Sequence, residues 1–252
     1  MSRRAATGLS AAVALMICVA ACTLPAGAQP NGFTPCTNHV APPPRGPVLR
    51  ADVDGDGRAD RVWLAARMTA DGACHFTAVA TGKGWTAKLP VVRRGGISLP
   101  RLSVLATINS ARGAEIVIEL NHESQYSDAL VLTTRGRRLV QLVAPRNPMN
   151  PAGVFGLFTF YNGEGEGGGT IQVDCPKPGT VVTAGFRWLS TGPDPYGDPH
   201  YYGERRTYRV TGSFRQVAAT VLPNATYAEV EPILLPVEEW RPFRSCAVTP
   251  FA

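Results

Sequence analysis

Short runs of apolar and β-branched residues, separated by turn-forming residues, make up most of the chain after residue 47. No stretch keeps apolar residues at a helical spacing for long, because 22 prolines and 26 glycines interrupt the sequence throughout. Short runs bounded by glycine and proline are typical of strands. The pattern predicts a single all-β domain over 48–252, with strands at 47–53, 60–67, 74–81, 85–91, 102–108, 114–120, 126–134, 137–144, 153–160, 169–175, 180–189, 205–211 and 214–222.

One predicted turn, DVDGDGRAD, is unusually acidic. It carries carboxylates at its positions 1, 3, 5 and 9, which are Asp52, Asp54, Asp56 and Asp60. Its two glycines let the backbone curl so that these side chains can point to one centre. Without a cation, four ionised carboxylates so close together would repel one another. The turn therefore predicts a Ca²⁺ site with the backbone carbonyl of Arg58 as a further ligand, and a metal-free Asx-rich turn is the alternative.

The acidic loop differs from an EF-hand, because Trp63 stands at position 12 and a strand-like run at 61–66 follows. In the form D-x-D-G-D-G-x-x-D-x-V it resembles the calcium loop of FG-GAP and VCBS-type repeats, which occur in integrin-like β-propellers. The likeness covers about fifteen residues. It implies a β scaffold and a metal that stabilises a turn, and it implies no particular ligand.

Two fainter copies of the acidic loop follow at steps of 55 residues, beginning at Thr107 and Asn162. The second copy keeps one acidic residue, Glu115, and we expect it to be metal-free. The third copy has Glu164 and Glu166 and is a weaker metal candidate, because Glu is longer than Asp. A period near 50 residues with about four strands is typical of propeller blades. We expect a small or incomplete propeller-like stack of antiparallel meanders, with a two-sheet β-sandwich as the alternative and with degenerate repeats near 48–100, 101–150 and 151–222.

The N-terminus has the features of an export leader over residues 1–28. Two arginines precede an apolar stretch at 11–21 that is too short to cross a bilayer. Residues 19–22 (VAAC) resemble a bacterial lipobox that would acylate Cys22, whereas 26–28 (AGA) fit ordinary secretion. We favour a lipid anchor on Cys22, with 29–47 as a Pro/Gly-rich tether. The lipobox and the arginine-rich, lysine-poor composition look like those of an actinobacterial product.

Four cysteines remain after the leader: Cys36, Cys74, Cys175 and Cys246. In an oxidising compartment such an even set predicts two disulfides, for which three pairings are possible. We favour Cys36–Cys246, which would tie the chain ends together, with Cys74–Cys175. No C-x-x-C spacing occurs, so neither a zinc site nor a thioredoxin-like redox site is indicated.

A tyrosine- and proline-rich segment at 190–203 lengthens the third repeat. Rigid tyrosines suit contact with a ligand, which makes Tyr196, His200, Tyr201 and Tyr202 candidate contacts to a protein or a carbohydrate. The alternative is a surface loop whose tyrosines pack on the sheet.

Catalytic patterns such as G-x-S-x-G and H-E-x-x-H do not occur in the sequence. The net charge is +6, but the basic residues are scattered along the chain, so nucleic acid is not an expected partner. We predict an exported, lipid-anchored, calcium-stabilised module of the bacterial cell surface that binds or interacts without catalysis. The alternatives are a cell-envelope hydrolase with an unrecognised active site and a purely structural envelope protein.

Overall fold

The computed structural model describes residues 34–36, 44–92, 99–122, 126–147, 149, 156–163, 169–189, 200–236 and 242–248. Strands dominate this part of the chain, and the predicted all-β class is confirmed. They are β1 (Thr34–Pro35), β2 (Leu49–Ala51), β3 (Asp60–Met68), β4 (Ala73–Gly82), β5 (Trp85–Val91), β6 (Arg101–Ala106), β7 (Glu115–His122), β8 (Tyr126–Arg135), β9 (Arg138–Gln141), β10 (Phe158–Gly163), β11 (Gly169–Lys177), β12 (Thr180–Trp188), β13 (Tyr201–Val210) and β14 (Phe214–Ala225). Helix is limited there to the single turn α1 (Tyr227–Val230) and the 3-10 turns Glu231–Ile233 and Arg244–Cys246.

The strands form two antiparallel sheets. The five-stranded sheet has the order β1-β4-β3-β2, with β5 also paired to β4. The nine-stranded sheet has the order β14-β13-β12-β11-β10-β8-β7-β6, with β9 also paired to β8. Neither sheet closes on itself within the described residues. The chain is therefore a succession of meanders in which most neighbours in sequence are also neighbours in a sheet.

The first two meanders, β2–β5 and β6–β9, pack against each other. One core cluster contains Val62 and Leu64 of the first meander together with Ile116 and Ile118 of the second. Successive side chains of a strand point to opposite faces, so Val117 of β7 belongs to a second cluster with residues of β10–β14. The second meander is therefore buried on both faces, which explains the nearly continuous apolar run of β7.

The segment after β14 crosses one face of the nine-stranded sheet. A Cβ atom on Gly203 would lie 2.4 Å from Cγ1 of Val230, so only glycine lets α1 approach β13 this closely. Arg205 holds the next turn, since its Nη1 donates to the backbone carbonyl oxygens of Ile233 at 3.0 Å and Leu234 at 3.2 Å. These contacts fix 227–234 against the sheet.

The two disulfides join different partners from those expected. Cys36 is bonded to Cys74, and Cys175 is bonded to Cys246, with Cα–Cα distances of 5.3 and 5.6 Å that are usual for disulfides. The favoured pairs Cys36–Cys246 and Cys74–Cys175 are therefore wrong. All four cysteines are nevertheless paired, as expected.

Local strand pairing explains both bonds. In the first sheet, Thr34 of β1 lies opposite Cys74 of β4, and this register brings Cys36 beside its partner. At the other bond, the 3-10 turn Arg244–Cys246 packs beside the end of β11, where the backbone N–H of Ser245 donates to Oδ1 of Asp174 at 3.0 Å. Each disulfide thus ties a peripheral segment to the nearest strand.

Several predicted features lie outside the described residues: the leader 1–28 with Cys22, most of the tether 29–47, and Tyr196. Among the residues that are described, no helix has the length and apolar character needed to span a membrane.

Candidate metal centre

The loop between β2 and β3 is organised around the carboxylate of Asp60, whose side chain is buried. Its Oδ2 accepts hydrogen bonds from the backbone N–H groups of Val53 at 2.9 Å and Asp54 at 3.3 Å. Asp60 is the first residue of β3 and lies opposite Ala51 of β2. The strand pairing therefore places this carboxylate beneath the loop, where its hydrogen bonds hold the backbone of Val53 and Asp54.

Three of the four predicted side-chain ligands converge. Asp52, Asp54 and Asp60 each place one carboxylate oxygen within 4.8 Å of the others. Asp56 does not join this group; its Oδ1 accepts the backbone N–H of Arg58 at 2.8 Å instead. The Arg58 carbonyl remains a predicted ligand. The donor set is made of oxygen atoms alone, which fits a hard divalent cation such as Ca²⁺.

Backbone hydrogen bonds to Asp52 give the loop its curl. Oδ1 of Asp52 accepts from the N–H of Gly55 at 2.7 Å and of Asp56 at 3.1 Å, and Oδ2 accepts from the N–H of Gly57 at 2.9 Å. Gly55 and Gly57 have φ values of 80° and 85°, which other residues rarely adopt. These bonds also fit the metal-free Asx-rich turn, because they shape the loop whether or not an ion is bound.

The electrostatics of the loop favour a cation. Burial raises the pKa of the Asp60 carboxyl above its ordinary value, and the neighbouring carboxylates of Asp54 and Asp56 raise it further. The backbone N–H groups of Val53 and Asp54 oppose this effect by stabilising the ionised form. A positive charge among these oxygens would remove the repulsion that opposes ionisation.

The loop between β6 and β7 repeats the same scaffold 55 residues later. Ala106 lies opposite Glu115, as Ala51 lies opposite Asp60 in the first loop. Oε2 of Glu115 accepts the backbone N–H groups of Ile108 at 2.8 Å and Asn109 at 3.1 Å. These bonds correspond one for one to those that Val53 and Asp54 donate to Asp60. The first and second loops are therefore equivalent in the strand register and in the two backbone hydrogen bonds that their anchoring carboxylates accept.

The two loops differ in what surrounds the anchoring carboxylate. In the second loop, Oε1 of Glu115 accepts hydrogen bonds from the side-chain amide of Asn109 and from the hydroxyl of Thr133, the latter at 3.0 Å. Burial raises the pKa of Glu115, and hydrogen bonds from the backbone N–H groups of Asn109 and Ile108 and from the Thr133 hydroxyl partly offset that effect. In the first loop, position 54 carries a carboxylate in place of the amide, so two acceptors face each other.

The indole N–H of Trp85 is a further polar group beside the first loop. Trp85 is 9 % exposed, and its Nε1 has no hydrogen-bond partner among the described residues. A Cβ atom on Gly82 would lie 2.1 Å from Oδ1 of Asp60 and 2.2 Å from Nε1 of Trp85, so these two atoms border the same small space. Neither Trp85 nor Gly82 was predicted to belong to the site. A glycine at the end of a predicted strand is a signal of such close approach.

The third loop has a different register. Asn162 lies opposite Thr170, and Gly163 opposite Gly169, in a continuous ladder between β10 and β11. Exact equivalence with the first two loops would place Tyr161 opposite Thr170, so the third pairing is shifted by one residue. Residues 164–168, which include Glu164 and Glu166, lie outside the described part of the chain. Metal binding by this copy stays a prediction.

The candidate ligand contacts at 200–202 are partly buried and pack on the sheet. The Tyr201 ring lies edge-on to Phe186 and Tyr227, with centroid distances of 5.2 and 6.0 Å. The Tyr202 hydroxyl donates to Oε2 of the buried Glu204 at 2.8 Å. These contacts give both tyrosines a structural role and leave part of each ring accessible.

His200 begins the same group. Its backbone carbonyl accepts the N–H of Leu189 at 2.9 Å, and its Nδ1 is buried without a hydrogen-bond partner in the described residues. Contact of His200, Tyr201 or Tyr202 with a ligand stays a prediction.

Comparisons with protein-family models, with curated proteins and with solved structures find no match for this chain. The likeness to FG-GAP and VCBS-type repeats therefore depends on the residues of the acidic loop.

Proposed function

We propose that this chain is an exported, lipid-anchored module of the bacterial cell surface that binds Ca²⁺ in the loop Asp52–Asp60 and acts by binding rather than by catalysis. The ion stabilises the β2–β3 connection, and the β scaffold presents a contact surface to a protein or a carbohydrate. The lipid anchor is assigned to Cys22.

The comparison of the two equivalent loops carries this proposal. Both use a carboxylate at the first residue of a strand to hold the backbone of the preceding loop. The second loop surrounds its carboxylate with neutral donors, whereas the first surrounds it with further carboxylates. Since buried or crowded charges need a partner of opposite sign, a cation is the natural counterpart in the first loop.

The expected contribution of the ion is structural. Extracellular calcium modules often have dissociation constants near 10⁻⁴ M, and at about 1 mM Ca²⁺ such a site would add roughly 1.4 kcal/mol to the free energy of unfolding. This is a useful fraction of the stability of a domain of ordinary size. The two disulfides support the exported location, because such bonds persist in oxidising compartments.

Thermal unfolding with Ca²⁺ and with EDTA tests the proposal. We expect EDTA to lower the midpoint of the wild type and to leave the midpoint of Asp54→Ala unchanged, because Asp54 is one of the three converging carboxylates. Glu231→Gln removes an exposed carboxylate outside the loop and should respond to EDTA like the wild type. Identical unfolding curves of the wild type in the two buffers would show that Ca²⁺ does not stabilise the protein and would contradict the proposal. If Asp54→Ala responded to EDTA as strongly as the wild type, the ion would have to bind at another site.

A further inference from the structure

Three turns at one end of the nine-stranded sheet carry exposed basic side chains. The turns are β8–β9, β11–β12 and β13–β14, and each lies where its two strands meet the same end of the sheet. We call their six exposed cationic residues the basic turn cluster: Arg135, Arg137, Arg138, Lys177, Arg209 and Arg215. These residues are far apart in the sequence, and the fold brings them together at one end of the sheet.

Hydrogen bonds hold the three turns together. Nη2 of Arg135 donates to the backbone carbonyl of Gly212, which joins the β8–β9 turn to the β13–β14 turn. The backbone N–H of Val210 donates to the carbonyl of Gly179 at 2.9 Å, which joins the β13–β14 turn to the β11–β12 turn. Gly179 in turn donates to the carbonyl of Ile108 at 3.1 Å. The cluster is therefore one connected surface rather than three independent hairpin tips.

Two pairs of arginines in the cluster occupy directly opposed positions on neighbouring strands. Arg209 lies directly opposite Arg215 in the β13–β14 ladder, and Arg135 lies opposite Arg138 in the β8–β9 ladder. Like charges in directly opposed positions destabilise a sheet. Among the described residues, the ion pairs are Arg101–Glu119 and Arg206–Glu204, and no member of the cluster is paired with a carboxylate. An external anion would relieve this repulsion.

The acidic group at the start of β7, at the same end of the sheet, is already engaged. Glu115 is buried in the second loop, and its oxygens accept hydrogen bonds from Ile108, Asn109 and Thr133. The loop Asp52–Asp60 borders the same end through Arg112, since a Cβ atom on Gly55 would lie 2.8 Å from Cβ of Arg112. A Ca²⁺ ion in that loop would reduce the repulsion that its carboxylates exert on an anionic ligand.

We propose that the basic turn cluster binds a polysaccharide that carries repeated anionic groups, either phosphate or carboxylate. This inference rests on the cell-surface location in the proposed function. Six cations spread over three turns match a chain of charges better than a single anion. A membrane is the less favoured partner, because the exposed large hydrophobic residues of the described ranges lie outside these turns and none of them would add insertion to the electrostatic attraction. Phe214 is the aromatic residue between Arg209 and Arg215, and its ring packs edge-on to Phe158 and Tyr208, so it is a poor platform for stacking by nucleic-acid bases.

Binding of two soluble polymers tests the inference: poly(glycerol phosphate) for phosphate and oligogalacturonate for carboxylate. We expect the wild type to bind at least one of them, with an affinity that falls steadily as the salt concentration rises, because association releases counterions. The double variant Arg209→Gln/Arg215→Gln should bind about tenfold more weakly at about 50 mM salt. Circular dichroism of each variant checks that the fold is kept.

A matched control exists in the other sheet. Arg50 lies opposite Arg61 in the β2–β3 ladder, and both are exposed. Arg50→Gln/Arg61→Gln removes the same charge from the same type of cross-strand pair, and it should change the affinity by less than about twofold. An equal loss in the two double variants would show that net charge alone governs binding and would overturn the assignment to the cluster.

Three other results would also overturn the inference: no binding of either polymer by the wild type, equal affinity for vesicles containing anionic phospholipid, or equal affinity for duplex DNA. Thermal unfolding with Ca²⁺ and with EDTA is measured on the same preparations. If the protein responded normally to calcium but bound neither polymer, the inference about the basic turn cluster would be wrong and the proposed calcium site would stand.

Discussion

The side-chain amide of Asn109 donates a hydrogen bond to the carboxylate of Glu115. The equivalent pair 55 residues earlier, Asp54 and Asp60, consists of two carboxylates. In both loops the second member of the pair accepts the equivalent two backbone N–H groups. At this position the second loop has an amide that donates to its carboxylate, whereas the first loop has a further carboxylate, beside which we propose that a cation binds. This difference can be reversed by mutation.

Asp54→Asn should give the first loop the amide donor that the second loop has at the equivalent position. The new amide can donate to Asp60 as Asn109 donates to Glu115, and it removes one of the repelling charges. In EDTA we expect a gain of about 1 kcal/mol, the usual net value of a hydrogen bond. This would raise the midpoint of thermal unfolding by about 2–4 °C for a domain of this size.

The same variant should lose its response to calcium. We expect its midpoint to be equal in Ca²⁺ and in EDTA, while the wild type is more stable in Ca²⁺. Asp54→Ala serves as the control, because it removes the charge without supplying a donor and should gain less in EDTA. A calcium response of normal size in Asp54→Asn would contradict the equivalence of the two loops.

Gly82→Ala should destabilise the first loop. The added methyl group would overlap both Oδ1 of Asp60 and Nε1 of Trp85. We expect a loss of about 1–3 kcal/mol in urea unfolding, which is typical of overpacking, and a weaker calcium response because Asp60 is displaced. Gly46→Ala is a matched control, since its Cβ would meet the Leu64 carbonyl oxygen at an ordinary 3.5 Å. Equal stability of the two variants would show that the space beside Asp60 is not confined.

Glu115 should make stability depend on pH. Burial raises the pKa of its carboxyl above the ordinary value of 4.5, so the folded protein holds this proton more tightly than the unfolded chain does. Stability should therefore rise as the pH falls from the raised pKa towards 4.5. Urea unfolding in EDTA at several pH values should show this rise in the wild type and a smaller one in Glu115→Gln. The exposed variant Glu231→Gln should follow the wild type, and identical slopes in all three proteins would mean that Glu115 titrates normally.

Most strands were predictable because they carry a local signal. The predicted strand at 85–91 matches β5, and that at 60–67 differs from β3 by one residue at its end. The start of β13 at Tyr201 was missed, because a strand that opens with Tyr-Tyr-Gly-Glu-Arg-Arg lacks an apolar alternation. There, the buried carboxylate of Glu204 is satisfied by Tyr202 and Arg206, and such a network of polar groups has no signature in the sequence.

Long-range relationships were harder to predict. The acidic residues of the candidate metal centre lie within nine positions of one another, so their spacing was informative. The basic turn cluster joins three turns from distant parts of the chain, and its members therefore read as scattered charges. The pairing of β1 with β4 involves two residues from a segment that was predicted to be a tether, so the register that sets the first disulfide had no sign in the sequence.

The disulfides can be verified directly. We expect peptide mapping without reduction to recover fragments linked through Cys36–Cys74 and Cys175–Cys246. The bonds separate residues by 38 and 71 positions, and in the chain-entropy model each adds about 4 kcal/mol, with slightly more for the longer loop. Replacing either pair by serines should lower the free energy of unfolding in urea by roughly this amount. A fragment that links Cys36 to Cys246 would contradict the pairing of β1 with β4, because that register requires Cys74 as the partner.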